Sequence, residues 1–104
     1  MLCRVMHERS SFEATLAAAA GEDAGLLAEL KDAFGQSLRH HVDLLSRARC
    51  DGNWVVAAQR IRGLAASFHA GELMELAETA LQSAPGDPVI LRELQHFLTE
   101  SGFA

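Results

Sequence analysis

The side chains of this sequence best suited to bind zinc or to act as strong nucleophiles are five histidines and two cysteines. A zinc site typically combines histidines four residues apart on a helix, or a local cluster of cysteine and histidine. His40 and His41 are adjacent instead, and Cys3 and Cys50 are far apart in the chain. The sequence also has no nucleophile motif and no glycine loop that could cradle phosphate. We therefore expect no metal, no cofactor, no small-molecule substrate and no enzymatic activity.

A second group of chemically interesting residues lies in the stretch 54–68. At about 100° per residue, its apolar residues fall on one side of a helix: Trp54, Ala58, Ile61, Ala65 and Phe68. The opposite side then carries an amide, a cation and two very small residues: Gln59, Arg62, Gly63 and Ala66. The outward side of this helix is therefore a candidate partner-binding face, with Arg60 beside it.

Gly63 needs a reason, because glycine inside a helix lowers its stability. Two explanations are open at this point: a partner that approaches the backbone closely, or a neighbouring helix of the same chain that packs against it. Arg60 and Arg62 likewise fit either a docking surface that pairs with carboxylates or an ordinary solvated helix face. Their basic character within an acidic protein favours docking.

Turn and capping signals divide the chain into five predicted helices. These span about residues 11–20, 23–49 and 54–68, then a helix through Leu73 and Leu81, and one from Pro88 to near Gly102. Ser10 and Glu13 have the spacing of a capping box, and Asp87 is placed to cap the last helix. The stretch 51–53 is interpreted as a turn in which Asn53 is placed to cap the third helix, and a break is expected at 69–71. We expect residues 1–10 to form a leader that precedes the domain, residues 11–104; the sequence leaves both an ordered and a disordered leader open.

The longest predicted helix has one apolar stripe: Leu26, Leu27, Leu30, Phe34, Leu38, Val42 and Leu45. Each of the later helices also has a single stripe, and the connections are mostly short. The predicted fold is therefore all-α: an up-down antiparallel four-helix bundle with a short extra N-terminal helix.

Bulk properties limit the classes of function. The chain has 104 residues, 49% of them hydrophobic, and a formal net charge of -5. One domain of this size buries one modest core. The acidic balance argues against nucleic acid and anionic membranes as partners, and no apolar stretch reaches the roughly 20 residues needed to span a bilayer. With no signal peptide evident, we expect a cytoplasmic protein.

The stretch from Ala57 to Leu73 resembles the signature of histidine phosphotransfer domains. In that family a small residue, His, any residue, Leu, Lys and Gly precede small residues, an apolar position, Gly and Ala. The matching positions in this sequence are Ile61 for Leu, Arg62 for Lys, Gly63 for Gly, Phe68 for the apolar position and Ala70 for Ala. The resemblance covers roughly residues 26–81, and the last helix is compatible with it.

Two departures from the family pattern bear on function. Gln59 stands where the family has the histidine that accepts a phosphoryl group, and a carboxamide lacks the nucleophilicity for that role. His69 stands where the family usually has glycine. The resemblance thus implies a non-catalytic module that docks a receiver domain or histidine kinase through Gln59, Arg60, Arg62, Gly63 and Ala66, and so modulates a two-component phosphorelay.

Two alternatives remain open. The chain could be an active phosphotransfer protein whose phosphoacceptor is an unconventional histidine, His69 or His40. On a continuous helix His69 would lie about 80° and roughly 15 Å from Gln59, so it could not serve the same docking spot. We expect it to be a partly buried residue at the helix break. The chain could also be a generic helical interaction or oligomerisation domain whose likeness to the family is convergent.

Overall fold

The computed structural model describes residues 14–21 and 23–103, and every regular element within them is helical. Residues 14–20 form α1, followed by α2 (Ala24–Arg47), α3 (Asp51–Ser67), α4 (Gly71–Leu81) and α5 (Pro88–Glu100). The all-α prediction is confirmed for this part of the chain. The expected leader, 1–10, and the capping box lie outside the described residues. Among the helices described, none is both long and apolar enough to cross a lipid bilayer.

Aspartate caps begin two of the helices. Oδ1 of Asp23 accepts a hydrogen bond from the backbone N–H of Leu26 at 3.1 Å, and α2 follows. Oδ1 of Asp87 accepts one from Val89 at 2.9 Å, with Pro88 in the first turn of α5. A capping carboxylate satisfies an N–H that has no partner inside the helix, and proline there loses no helical hydrogen bond. Both predicted starts are confirmed.

The start of α3 differs from the prediction. The residues interpreted as a turn, 51–53, form the first turn of the helix, and its N-cap is Cys50 rather than Asn53. The N–H of Trp54 bonds to the carbonyl of Cys50 at 3.1 Å, which closes this turn. Asp51 stabilises it because a carboxylate is favourable near the positive end of a helix dipole. Glycine and asparagine are tolerated here because the first N–H groups need no intrahelical partner.

The core is formed from one stripe of each helix. The fully or nearly enclosed large side chains are Leu16, Phe34, Leu38, Val42, Leu45, Trp54, Ile61, Leu73, Ile90 and Leu94. Leu27 and Leu30 pack partly against this core. Leu26, which we placed in the stripe of α2, is 39% exposed, so that assignment is wrong. It lies in the first turn of α2, at the end of the helix where the stripe leaves the core.

Each of the four longer helices packs against two others: α2 and α4 both contact α3 and α5. Near one end of α3, the indole N–H of Trp54 donates to the carbonyl of Ala80, at the end of α4, over 2.7 Å. At its other end, the rings of Phe68 and Phe34 meet edge to face, 5.1 Å apart. The start of α3 therefore lies beside the end of α4, and the end of α3 lies beside α2.

Candidate functional site

Three exposed residues of α3 form the centre of its outward side: Gln59, Gly63 and Ala66. We call these three the docking face. At about 100° per residue they lie within one narrow sector of the helix. Ala58 and Ile61 are fully buried on the opposite side. The amphipathic pattern of α3 therefore orients Gln59 to solvent.

The surroundings of Gly63 decide between the two explanations left open for this glycine. A Cβ atom built on it would have nothing within 4 Å outside its own helix backbone. No helix in the described part of the chain packs against it, so the explanation by tight internal packing is wrong. Gly63 leaves the backbone of α3 bare at the centre of the docking face.

Arg62 lies on the side of the docking face nearest α4. Its Nε atom is 3.7 Å from Oε1 of Glu78, a residue of α4, and both side chains are about half exposed. A pair so exposed contributes little to stability, because water screens it. Its effect is local: Glu78 partly offsets the positive charge of Arg62.

A shallow groove lies on the other side, between α2 and α3. It has a volume of about 470 Å³ and is lined by Leu44, Arg47, Ala48, Asn53, Val56, Ala57 and Arg60. Leu44 is 41% exposed and Val56 is 49% exposed. Val56 precedes Gln59 by less than one helical turn, so the groove continues directly from the docking face. Together they expose apolar side chains, a bare stretch of backbone and an amide on one continuous surface.

His41 lies about one turn beyond the groove residue Leu44 on α2 and is not itself one of the residues that line the groove. Its ring is half-buried, and its Nδ1 atom is enclosed without a hydrogen-bond partner among the described residues. Burial lowers the pKa of His41, and the neighbouring charges of His40 and then Arg60 lower it further. All three effects act against a cation, since enclosure removes water and the two neighbours are cationic or can become so.

The histidines proposed as alternative phosphoacceptors are both exposed, and both lie outside α3, the helix that carries Gln59. His40 lies on α2, with its ring centroid 5.3 Å from that of His41. His69 lies in the turn after α3, with a φ of 54°. Our expectation of a partly buried His69 is wrong, because α3 ends at Ser67 and the turn directs the ring to solvent. Among the described residues, no group of three or more His, Cys, Asp or Glu could hold a metal ion.

The groove residues Leu44, Arg47 and Val56 are not among the residues predicted from the sequence. A signal was present, since Leu44 and Val56 are large apolar residues outside the buried stripes of their helices. Such residues are common singly on protein surfaces, and only the packing of α2 against α3 shows that these two lie beside each other. The structure brings Gln59, Gly63 and Ala66 together as predicted, with Arg60 and Arg62 on opposite sides of them.

No family model matches this chain, and the comparison with curated proteins and with solved structures yields no match either.

Proposed function

We propose that this chain is a non-catalytic, phosphotransfer-like module that docks a receiver domain or a histidine kinase and so modulates a two-component phosphorelay. The proposal includes the arrangement of α2 to α5 as an up-down antiparallel four-helix bundle, preceded by α1. Support for that arrangement comes from the way each of the four helices packs against two others. We also propose a cytoplasmic location.

The observation that carries the proposal is the exposure of Gln59 beside the open backbone of Gly63. A buried glutamine would be a packing residue, whereas an exposed one in this position can meet a partner. Its carboxamide donates and accepts hydrogen bonds but does not form a phosphorylated intermediate. The position can therefore contact the acidic pocket of a receiver without taking its phosphoryl group.

The groove supports docking independently of the resemblance. Leu44 and Val56 provide apolar surface next to the docking face. Arg47 and Arg60 add cations at the border of the groove. Interfaces commonly combine an apolar centre with polar groups at the edge. A generic helical interaction domain would be indicated by a binding surface on α1 or α5, away from Gln59, so the location of the surface distinguishes it from the proposed module.

The first experiment mixes the purified chain with a panel of phosphorylated receiver domains, and separately with a kinase and its receiver. We expect binding to at least one of them and no stable phosphate label on this chain. A stable label would contradict the loss of transfer, and abolition of that label by His69→Ala or His40→Ala would establish the unconventional phosphoacceptor. Failure to bind any receiver or kinase would contradict docking.

A pair of matched variants locates the binding surface. Val56→Glu introduces a charge at the border of the docking face, and we expect it to weaken binding about tenfold or more. Val89→Glu is the control, since Val89 is equally exposed, at 53%, but lies at the start of α5. Equal effects of the two variants, or a binding surface on α1 or α5, would support the generic interaction domain instead.

Gln59→His tests whether only the nucleophile has been lost. Arg62 and Gly63 already stand at the family positions around it, so the variant should accept phosphate from a cognate phosphorylated receiver. If it binds the receiver without becoming labelled, another departure, such as the ion pair of Arg62 with Glu78, has also altered the site.

A further inference from the structure

Three nitrogen-bearing side chains lie near one end of the groove: His40, His41 and Arg60. The two histidines precede the groove residue Leu44 by four and three residues, so they lie about one turn beyond it on the same side of α2. The two imidazole rings are 5.3 Å apart between centroids. Arg60 reaches the same place from α3, since it lines the groove with Leu44, a residue less than one turn beyond His41 on α2. The electrostatic effect of Arg60 on His41 agrees with this placement.

No carboxylate balances this cluster among the residues that the structure describes. Arg47, at the same groove, is held by Asp43 at 2.9 Å, and Arg62 is held by Glu78. Arg60 takes part in none of the described ion pairs, and neither do His40 and His41. In a protein of net charge -5, Arg60 is therefore a cation without a described carboxylate partner, beside two imidazole rings that become cationic when protonated. Such a cluster attracts an oxyanion, which a guanidinium binds in a well-defined geometry.

Occupation of the cluster would change the proton affinity of His41. In the free protein, burial and the two neighbouring cationic groups lower its pKa. The groups that face it are His40 from its own helix and Arg60 from α3, and no charged group of α5 contributes. An anion at this place would offset the repulsion and favour the protonated ring. By linkage, protonation must then strengthen binding of the anion by the same factor.

We propose that Arg60, His40 and His41 form a binding site for an oxyanion, either a phosphoryl or a carboxylate group, and that His41 takes up a proton when the site is occupied. This site is separate from the proposed docking function, because it requires neither a receiver nor a kinase. A partner could use it as an additional contact, with its anionic group seated at the end of the groove.

The test uses sulfate as the probe, since its charge is constant between about pH 5.5 and 8, where histidine titrates. The imidazole NMR signals of the full chain are followed as sulfate replaces chloride at constant ionic strength. We expect saturable shifts at His40 and His41, tighter binding at the lower pH, and an increase in the pKa of His41 with sulfate bound. Shifts that do not saturate, or that chloride reproduces, would overturn the proposal.

Variants separate a specific site from general electrostatics. Arg60→Gln should weaken sulfate binding about tenfold, as expected for loss of a charged hydrogen-bond donor. Arg92→Gln is the matched control, since Arg92 is also exposed but lies on α5. His41→Gln should remove most of the dependence of binding on pH. Equal weakening by the two arginine variants, or an undiminished pH dependence in His41→Gln, would contradict the site.

Two further titrations, at about pH 6, where the site is expected to bind anions more tightly than at pH 8, identify the kind of oxyanion. Inorganic phosphate represents a phosphoryl group, and a short glutamate peptide represents the carboxylates of a protein partner. Tighter binding of either one identifies the natural group and supports the site, whereas binding of neither overturns it. Receiver binding is measured separately. A chain that binds sulfate but no receiver would support the oxyanion site and contradict docking, whereas a chain that binds a receiver but no sulfate would do the opposite.

Discussion

The ring of Phe103 lies directly against the backbone of Gly35. A Cβ atom at Gly35 would be 2.7 Å from Cδ1 of that ring, closer than real Cβ atoms approach their neighbours. The ring is also 5.6 Å from that of Phe34, and the carbonyl of Phe103 accepts a hydrogen bond from Arg39. These contacts pack the C-terminal end of the described chain against the middle of α2. The close approach of the Phe103 ring explains why a glycine is present inside that helix.

Gly35→Ala should therefore destabilise the protein by about 1–2 kcal/mol. Burying an extra methyl group in a filled space displaces a packed ring, and the gain in helix propensity, about 1 kcal/mol, offsets only part of that cost. Urea unfolding followed by circular dichroism measures the difference.

The same substitution in a Phe103→Ala background is the control. With the ring removed, Gly35→Ala should stabilise the protein by about 0.5–1 kcal/mol, because only the helix propensity remains. A loss of stability of the same size in both backgrounds would show that Phe103 is not the cause.

His69→Gly should raise the stability by about 1 kcal/mol. His69 has a φ of 54°, in the left-handed region where a Cβ atom is strained and glycine is not. Its side chain is exposed, so little packing is lost. Thermal unfolding measures the gain, with His69→Ala as the comparison, because alanine keeps the Cβ atom and should not stabilise. A gain of equal size in both variants would contradict the backbone explanation.

Trp54→Phe should lower the stability by about 1–3 kcal/mol. Trp54 is 1% exposed, and its N–H donates to the carbonyl of Ala80 over 2.7 Å. The change removes this hydrogen bond between α3 and α4 and leaves a cavity. Chemical unfolding gives the free energy. Val55→Ala, a neighbouring change at a partly exposed position, should cost less.

The free energy of unfolding should fall as the pH falls, and His41 should contribute to this fall. Its pKa in the folded protein is lowered from 6.5. The unfolded chain therefore binds the proton more readily than the folded one. The stability that depends on a neutral His41 is fully present above the pKa that this ring has in the unfolded chain. It is lost as the pH decreases through the pKa of the ring in the folded protein.

Urea unfolding at several values between about pH 5 and 8 tests this sign. His41→Gln should show a weaker dependence than the wild type over that range. The pH dependence of His40→Gln should lie between those of the wild type and His41→Gln, because this variant removes one cause of the lowered pKa of His41 but leaves burial and Arg60. A variant His41→Gln that loses as much stability as the wild type on acidification would contradict the assignment to this residue.

The starts of α2 and α5 were predictable because a capping aspartate is a local signal, read from a few consecutive residues. The start of α3 was not predictable in this way, because Asp51 and Gly52 are as common in a loop turn as in the first turn of a helix. The positions of Gln59 and Gly63 on one exposed face followed from helical periodicity alone. The contact of Phe103 with Gly35 joins residues far apart in the chain, and no local pattern reports it.

The groove at the candidate site also could not be predicted from local sequence patterns. Arg60 was assigned from its place on α3, but its neighbours Leu44 and Arg47 belong to α2. Their proximity depends on how the two helices are aligned along each other, and periodicity within one helix does not determine that alignment. The residues of a single helix could therefore be predicted, whereas the surface that they share with the next helix required the structure.

Gly63→Ala should separate stability from docking. A Cβ atom at this position meets nothing within 4 Å, so the variant should gain about 0.5–1 kcal/mol of stability from helix propensity. The same methyl group would stand between the backbone of α3 and a closely packed partner, and binding to a receiver should weaken. Gly52→Ala is the matched control, because Gly52 is an equally open glycine in the first turn of α3, outside the docking face. It should leave binding unchanged. If Gly63→Ala binds as tightly as the wild type, the partner does not approach the helix at this glycine, and the docking face must be placed elsewhere.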